Sequence, residues 1–203
     1  MRKIISGIIC ILILGMAGLS FAAETASLSK TDKQIAELTK AIEQKPDDST
    51  LYYSRGVAYY NKNRFEEAIK DLTRVVEVKT SDANAYLWRG LSYNRLGQEE
   101  LALNDYSQAV ICNPFLEEAY YNRAAIFAKR EQYELALGDC ERAIQNNPNN
   151  ANSYLIQANI YENNHLYQEA IVTYKKLLAN VMLQDSEAIK IAKEHIRVLG
   201  STL

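Results

Sequence analysis

Proline and glycine are scarce in this 203-residue chain, with three and eight copies, which favours helix over the turn-rich β folds that use them. The length allows one or two domains and a sizeable core. Tryptophan occurs once and histidine twice. Acidic and basic residues nearly cancel at a net charge of −2, so no basic field points toward nucleic acid. No HExxH, GxSxG, phosphate-cradling glycine loop or paired CxxC is present. Neither His165 nor His195 has a ligating neighbour at metal spacing, so both read as exposed surface groups. Nothing in the sequence calls for an enzyme, a metal or a cofactor.

Long uncharged runs are also missing, except at the start. Arg2 and Lys3 precede IISGIICILILGMAGL, and Ser20-Phe21-Ala22 follows with small residues at its ends. A positive end, an apolar middle and a small-residue cleavage site make residues 1–22 a secretory signal peptide, cut after Ala22. An uncleaved membrane anchor is the alternative, the run lying near the lower length limit of a spanning helix. Residues 23–29 read as a flexible mature terminus. Of the three cysteines, Cys112 and Cys140 remain after cleavage.

What the chain does have is a period. Its prolines are Pro46, Pro114 and Pro148, separated by 68 and 34 residues, with Thr80 where a fourth would fall. Placing proline at position 32 of a 34-residue unit starts units at Ser49, Ala83, Glu117 and Ala151. Position 4 is then Tyr52, Tyr86, Tyr120 and Tyr154, and position 8 is Gly56, Gly90, Ala124 and Ala158. Position 11 is Tyr59, Tyr93, Phe127 and Tyr161; position 20 is alanine in all four units. All fourteen tyrosines fall at positions 4, 5, 11, 12, 17 or 24. Positions 4, 8 and 11 share one stripe of a first helix, A, and positions 20, 24 and 27 share a stripe of a second, B. Small residues at 8 and 20 let the two backbones approach, and the tyrosines fill the space beside them. Proline at 32 is expected to end helix B. Asp82 and Asn150 can cap the following A helix, and Gly97 suits the turn between A and B. One unit cannot bury both stripes alone, so stability must come from its neighbours.

This pattern resembles the tetratricopeptide repeat: large at 4, small at 8, aromatic at 11, alanine at 20, small at 27, proline at 32. The resemblance covers residues 49 to about 180, with a half unit before it. It implies an all-α, right-handed superhelical solenoid of stacked antiparallel helix pairs, concave on the side of the A helices. The expected organisation is a half-repeat helix over 30–46 and repeats over 49–82, 83–116, 117–150 and 151–184, the last degenerate. A capping helix over 185–199 follows, with Asp185 as its cap and Ile189, Ala192, Ile196 and Leu199 on its apolar side. In the half-repeat helix, Ile35, Leu38, Ala41 and Ile42 share one face. The register sets Cys112 and Cys140 a turn or more apart on neighbouring helices, too far for a disulfide.

Position 7 is Arg55, Arg89 and Arg123, and position 23 is Asp71, Asp105 and Asp139. Both charges vanish together in the fourth unit, where Gln157 and Thr173 stand. This co-occurrence predicts that the charges face each other within or between helix pairs; a row of arginines for an acidic ligand is the other reading.

The resemblance also implies a binding groove, since positions 2, 5, 6, 9, 12 and 13 of helix A face the concave side in that family. It places Tyr53, Val57 and Tyr60 of the first unit there, with Leu87, Trp88, Leu91 and Asn94 of the second. Tyr121, Asn122 and Ala125 follow from the third, and Leu155 and Asn159 from the fourth. The basic residues with which the carboxylate-clamp subfamily holds acidic tails are absent. Trp88 reads equally as a binding anchor or as packing between repeats. The expected function is an exported, non-enzymatic scaffold, periplasmic or secreted if bacterial, that holds a protein or peptide segment in this groove. It would contact no nucleic acid and have no membrane span once cleaved. A glycan or small-ligand binder and a self-associating structural module are the alternatives.

Overall fold

The computed structural model describes residues 29–181 and 186–201; the leader and Asp185 lie outside the described residues. Ten α-helices and no strand occur among them. In chain order they are α1 (Lys30–Gln44), α2 (Ser49–Asn61), α3 (Phe65–Val78), α4 (Ala83–Arg95) and α5 (Glu99–Cys112). Then come α6 (Glu117–Lys129), α7 (Tyr133–Asn146), α8 (Ala151–Asn163), α9 (Tyr167–Asn180) and α10 (Ser186–Gly200). Each packs chiefly on the helix before it and the helix after it, the arrangement of a solenoid. α2, α4, α6 and α8 are the A helices, and α1, α3, α5, α7 and α9 the B helices.

Asp48, Asp82 and Asn150 cap α2, α4 and α8 with their side chains, whereas Leu116 before α6 cannot. Between A and B the chain turns in the same way four times. Asn63, Gly97, Glu131 and His165 all take positive φ, 57° to 74°. The next residue's N–H returns to the carbonyl five back, as in Arg64 to Tyr59 at 2.9 Å and Gln98 to Tyr93 at 2.9 Å. This is a Schellman motif, and only Gly97 adopts it without a Cβ penalty. Proline is not what ends helix B. α3 stops at Val78 although Thr80 replaces the proline, and its last bond, Lys79 N–H to the Val75 carbonyl at 2.7 Å, matches the one that closes α1, α5 and α7.

The core follows the two stripes. Ala68, Ala102, Ala136 and Ala170 are wholly buried, as are Leu72, Tyr106 and Cys140 at position 24. Sizes at positions 8 and 24 are matched. A Cβ on Gly90 would lie 2.8 Å from the Tyr106 ring, and one on Gly56 would lie 2.8 Å from Leu72 Cγ. α10 closes the stack with Ala188, Ala192 and Leu199 against Tyr174 and Leu177. Ile35 and Ile42 of α1 are buried at the other end. Cys112 and Cys140 are free thiols, and burial pushes the Cys140 thiol up to about 12.

Candidate functional site: the A-helix face and the arginine ladder

Two polar systems stand out from the core. One is a ladder of guanidinium groups. Arg55 donates from Nε and Nη2 to both oxygens of Asp71, at 2.7 and 2.9 Å. Arg89 grips Asp105 in the same way at 2.8 and 2.7 Å, and Arg123 grips Asp139 at 2.7 and 2.8 Å. Each arginine also reaches the preceding unit: Nη1 donates to Thr39, Thr73 and Ser107 respectively, at 3.1 to 3.2 Å. Aromatic rings at positions 4 and 11 flank every guanidinium, with centroids 5.6 to 5.9 Å away. The Asp71 carboxylate holds Arg55 above its ordinary value, and Asp139 does the same for Arg123. Asp105 is the most buried of the three acids at 1% exposure; burial pushes its carboxyl up while Arg89 pulls it down. Arginines held bidentate by their own aspartates have no free fork for an acidic ligand.

The other system is the face of the A helices. Tyr60 meets Trp88 edge-on, centroids 5.1 Å apart, and also Phe65 at 5.5 Å. Trp88 is thus partly buried between repeats. Burial pushes up the hydroxyls of Tyr53 and Tyr121. Val57, Leu91, Asn94 and Leu155 are partly buried, while Ala125 and Asn159 are exposed. Ala125, Leu155 and Asn159 share a cleft of about 450 Å³ at the seam of α6 and α8. Among the described residues the Asn94 amide makes no side-chain hydrogen bond. Asn122 instead donates to the Glu118 carbonyl of its own helix at 2.7 Å, and Asn159 accepts from Asn163 at 3.1 Å.

Two expectations need correction. Leu87 is 2% exposed and belongs to the buried cluster of Tyr106 and Ile126, so it cannot touch a ligand. The third unit packs against it, which position 5 of a single unit does not show. His195 keeps a side chain 43% exposed, as expected, but it is not unpartnered: its Nδ1 lies 2.8 Å from Glu162 and 3.2 Å from the Tyr174 hydroxyl. α10 lies against α8 and α9 there and ends the face. His165 is exposed and meets the Tyr167 hydroxyl at 2.8 Å. Sequence reasoning also missed Glu118. This carboxyl is pushed up by burial, and its charge in turn raises the hydroxyls of Tyr53, Tyr106 and Tyr121. Its place at position 2 was the available signal. No group of three or more potential metal ligands gathers among the described residues.

A stack of antiparallel helix pairs with one face of A helices defines a helical repeat solenoid, a class that binds through surface rather than through an enclosed pocket. The family profiles described as tetratricopeptide repeat match residues 117–150, and 37–70 with 140–172; one described as TPR repeat matches 58–97. The chain is a tetratricopeptide repeat protein.

Solved structures share the fold. MamA superposes with a TM-score of 0.69 at 22% identity, covering 75% of this chain and 95% of that one. YrrB, described as a TPR protein with an unusual peptide-binding site, gives 0.65 at 21% identity over 86% and 89%. The first TPR of Spaghetti (RPAP3), bound to the HSP90 peptide SRMEEVD, gives 0.55 at 24% identity over 58% and 93%. No curated protein matches the sequence. Together these make the chain a right-handed superhelical solenoid of a kind that generally serves as a non-enzymatic scaffold.

Proposed function

We propose that this protein is an exported scaffold that holds a segment of a partner protein along the face of α2, α4, α6 and α8. The observation that carries the reading is the row of partly exposed aromatic and amide side chains on that face: Tyr53, Tyr60, Trp88, Asn94 and Tyr121. Such a row offers apolar anchors and backbone-directed hydrogen bonds to an extended or helical segment. YrrB and the Spaghetti domain support it, being similar proteins described with peptide sites. The face carries Glu118 where a clamp for acidic tails would need a cation, so the segment is apolar or basic rather than acidic.

Export rests on residues 1–22, and assembly of an envelope complex is the setting we assign. Mass spectrometry of the protein from an envelope fraction is expected to show a chain beginning after Ala22. For the groove, a photo-crosslinker at position 94, on the same face, should capture a protein from envelope extract. Asn159→Arg and Ala125→Arg, both on exposed positions, should abolish capture while leaving the thermal midpoint unchanged. Capture that survives both charge insertions would refute the groove; a cell-wall glycan competing for it would favour the carbohydrate reading.

A further inference from the structure

The fourth unit breaks the arginine ladder without rebuilding the packing. In the first three units, each guanidinium lies against two aromatic rings, an aspartate of helix B and a hydroxyl of the preceding unit. The fourth keeps the rings, Tyr154 and Tyr161, but puts Gln157 for arginine, Thr173 for aspartate and Glu141 for the hydroxyl. These residues line one cleft of about 750 Å³ at the seam of α7 with α8 and α9. The corresponding cleft of the first unit, which contains Arg55 and Asp71, measures about 540 Å³.

The walls of this cleft point to its occupant. Gln157 is only 8% exposed, and its amide hydrogen-bonds no other group among the described residues. Among the described residues the buried side-chain polar atoms without a partner are those of Tyr106 and Ser153, so the Gln157 amide reaches solvent through the cleft and is open to a donor from outside. Glu141 and Glu169 line the cleft against a single cation, Lys176. The carboxylate that the first three units place at position 23 is thus moved to position 25 of the preceding unit, the very site that accepts arginine Nη1 elsewhere.

We infer that this cleft receives an arginine side chain from a partner polypeptide. The guanidinium would lie against the partly exposed ring of Tyr161, donate to the Glu141 carboxylate and donate to the Gln157 amide oxygen, supplying from outside the charge that the fourth unit lacks. Planar stacking and forked donation are properties of guanidinium, not of ammonium. The site is separate from the A-helix face.

The test is a titration of the purified protein with acetyl-Gly-Ser-Arg-Ser-Gly-amide, followed by the ring resonances of Tyr161 and by calorimetry. The same peptide with citrulline in place of arginine keeps the shape and loses the charge. The arginine peptide is expected to shift the Tyr161 ring, and the citrulline peptide to bind at least about tenfold more weakly, as removal of a charge-assisted hydrogen bond implies. Glu141→Gln, on an exposed position, is expected to weaken the arginine peptide about tenfold with no change in melting. The double variant Gln157→Arg with Thr173→Asp supplies the rung from within; it should melt higher and no longer bind. Ala125→Arg should leave binding intact, which separates this cleft from the groove. Equal binding of the citrulline peptide, unchanged binding by Glu141→Gln, or arginine amide alone binding as tightly as the peptide would each overturn the assignment.

Discussion

At the scale of the residue, a pair of helical glycines, Gly90 and Gly138, shows what the fold demands. A Cβ on Gly90 meets Tyr106 Cε1 at 2.8 Å, and that ring is fully buried and cannot retreat. Gly90→Val is expected to lower stability by about 1–3 kcal/mol, measured by urea titration. Gly138 lies within α7 with nothing within 4 Å of its added Cβ. Gly138→Ala should therefore stabilise by about 0.5–1 kcal/mol through helix propensity alone. Glu118 supplies a pH signature. Burial raises its carboxyl above the ordinary 4.5. The folded chain then holds that proton more tightly than the unfolded chain, so stability is greatest below the ordinary value and declines as pH rises through the raised one. Glu118→Gln is expected to raise the thermal midpoint at pH 8 and to change it little at pH 4. Equal shifts at both would show that its charge is not desolvated.

At the scale of the element, the arginine ladder ties helices both within a unit and across its seam. Arg89 links α4 to α5 through Asp105 and to α3 through Thr73. The pair is nearly enclosed, with side-chain exposures of 14% and 1%. Removing Arg89 alone strands a buried carboxylate, and Arg89→Leu is expected to cost about 3–5 kcal/mol. A double-mutant cycle with Asp105→Leu should return a large coupling energy. The exposed pair Arg64–Glu67 within one helix approach should return only about 0–1 kcal/mol in the same cycle. The charges' joint loss from the fourth unit signalled this pairing in the sequence. The hydroxyl partners at position 25 were not legible, because threonine and serine also serve as ordinary helix-surface residues.

At the scale of the whole molecule, stability is a sum over units and seams, and both ends need closing. α10 covers the last seam with Ala188, Ala192 and Leu199, and its His195 meets Glu162 and Tyr174. Deleting residues 186–203 uncovers Tyr174 and Leu177, both nearly inaccessible in the intact chain. Calorimetry of that truncation should show a lower midpoint and a broader transition, because the fourth unit loses one neighbour while the first three keep theirs. A sharp transition at the original midpoint would mean that α10 contributes nothing to the stack.

The sequence by itself determined the period, the ten-helix plan and the stripes of small and aromatic residues. Those features sit at spacings of three and four inside a single unit, where helix geometry alone gives them meaning. The turns at Asn63, Gly97, Glu131 and His165 repeat at the same interval, although only the glycine announced itself. Only the tertiary structure decided what neighbours do to a given position. It buried Leu87 under the third unit, set Trp88 against Tyr60, gave His195 a carboxylate, and left a cleft beside Gln157. Each outcome depends on which side chain the adjacent unit brings and how much volume it fills, and a repeat pattern read one unit at a time carries no record of that contact.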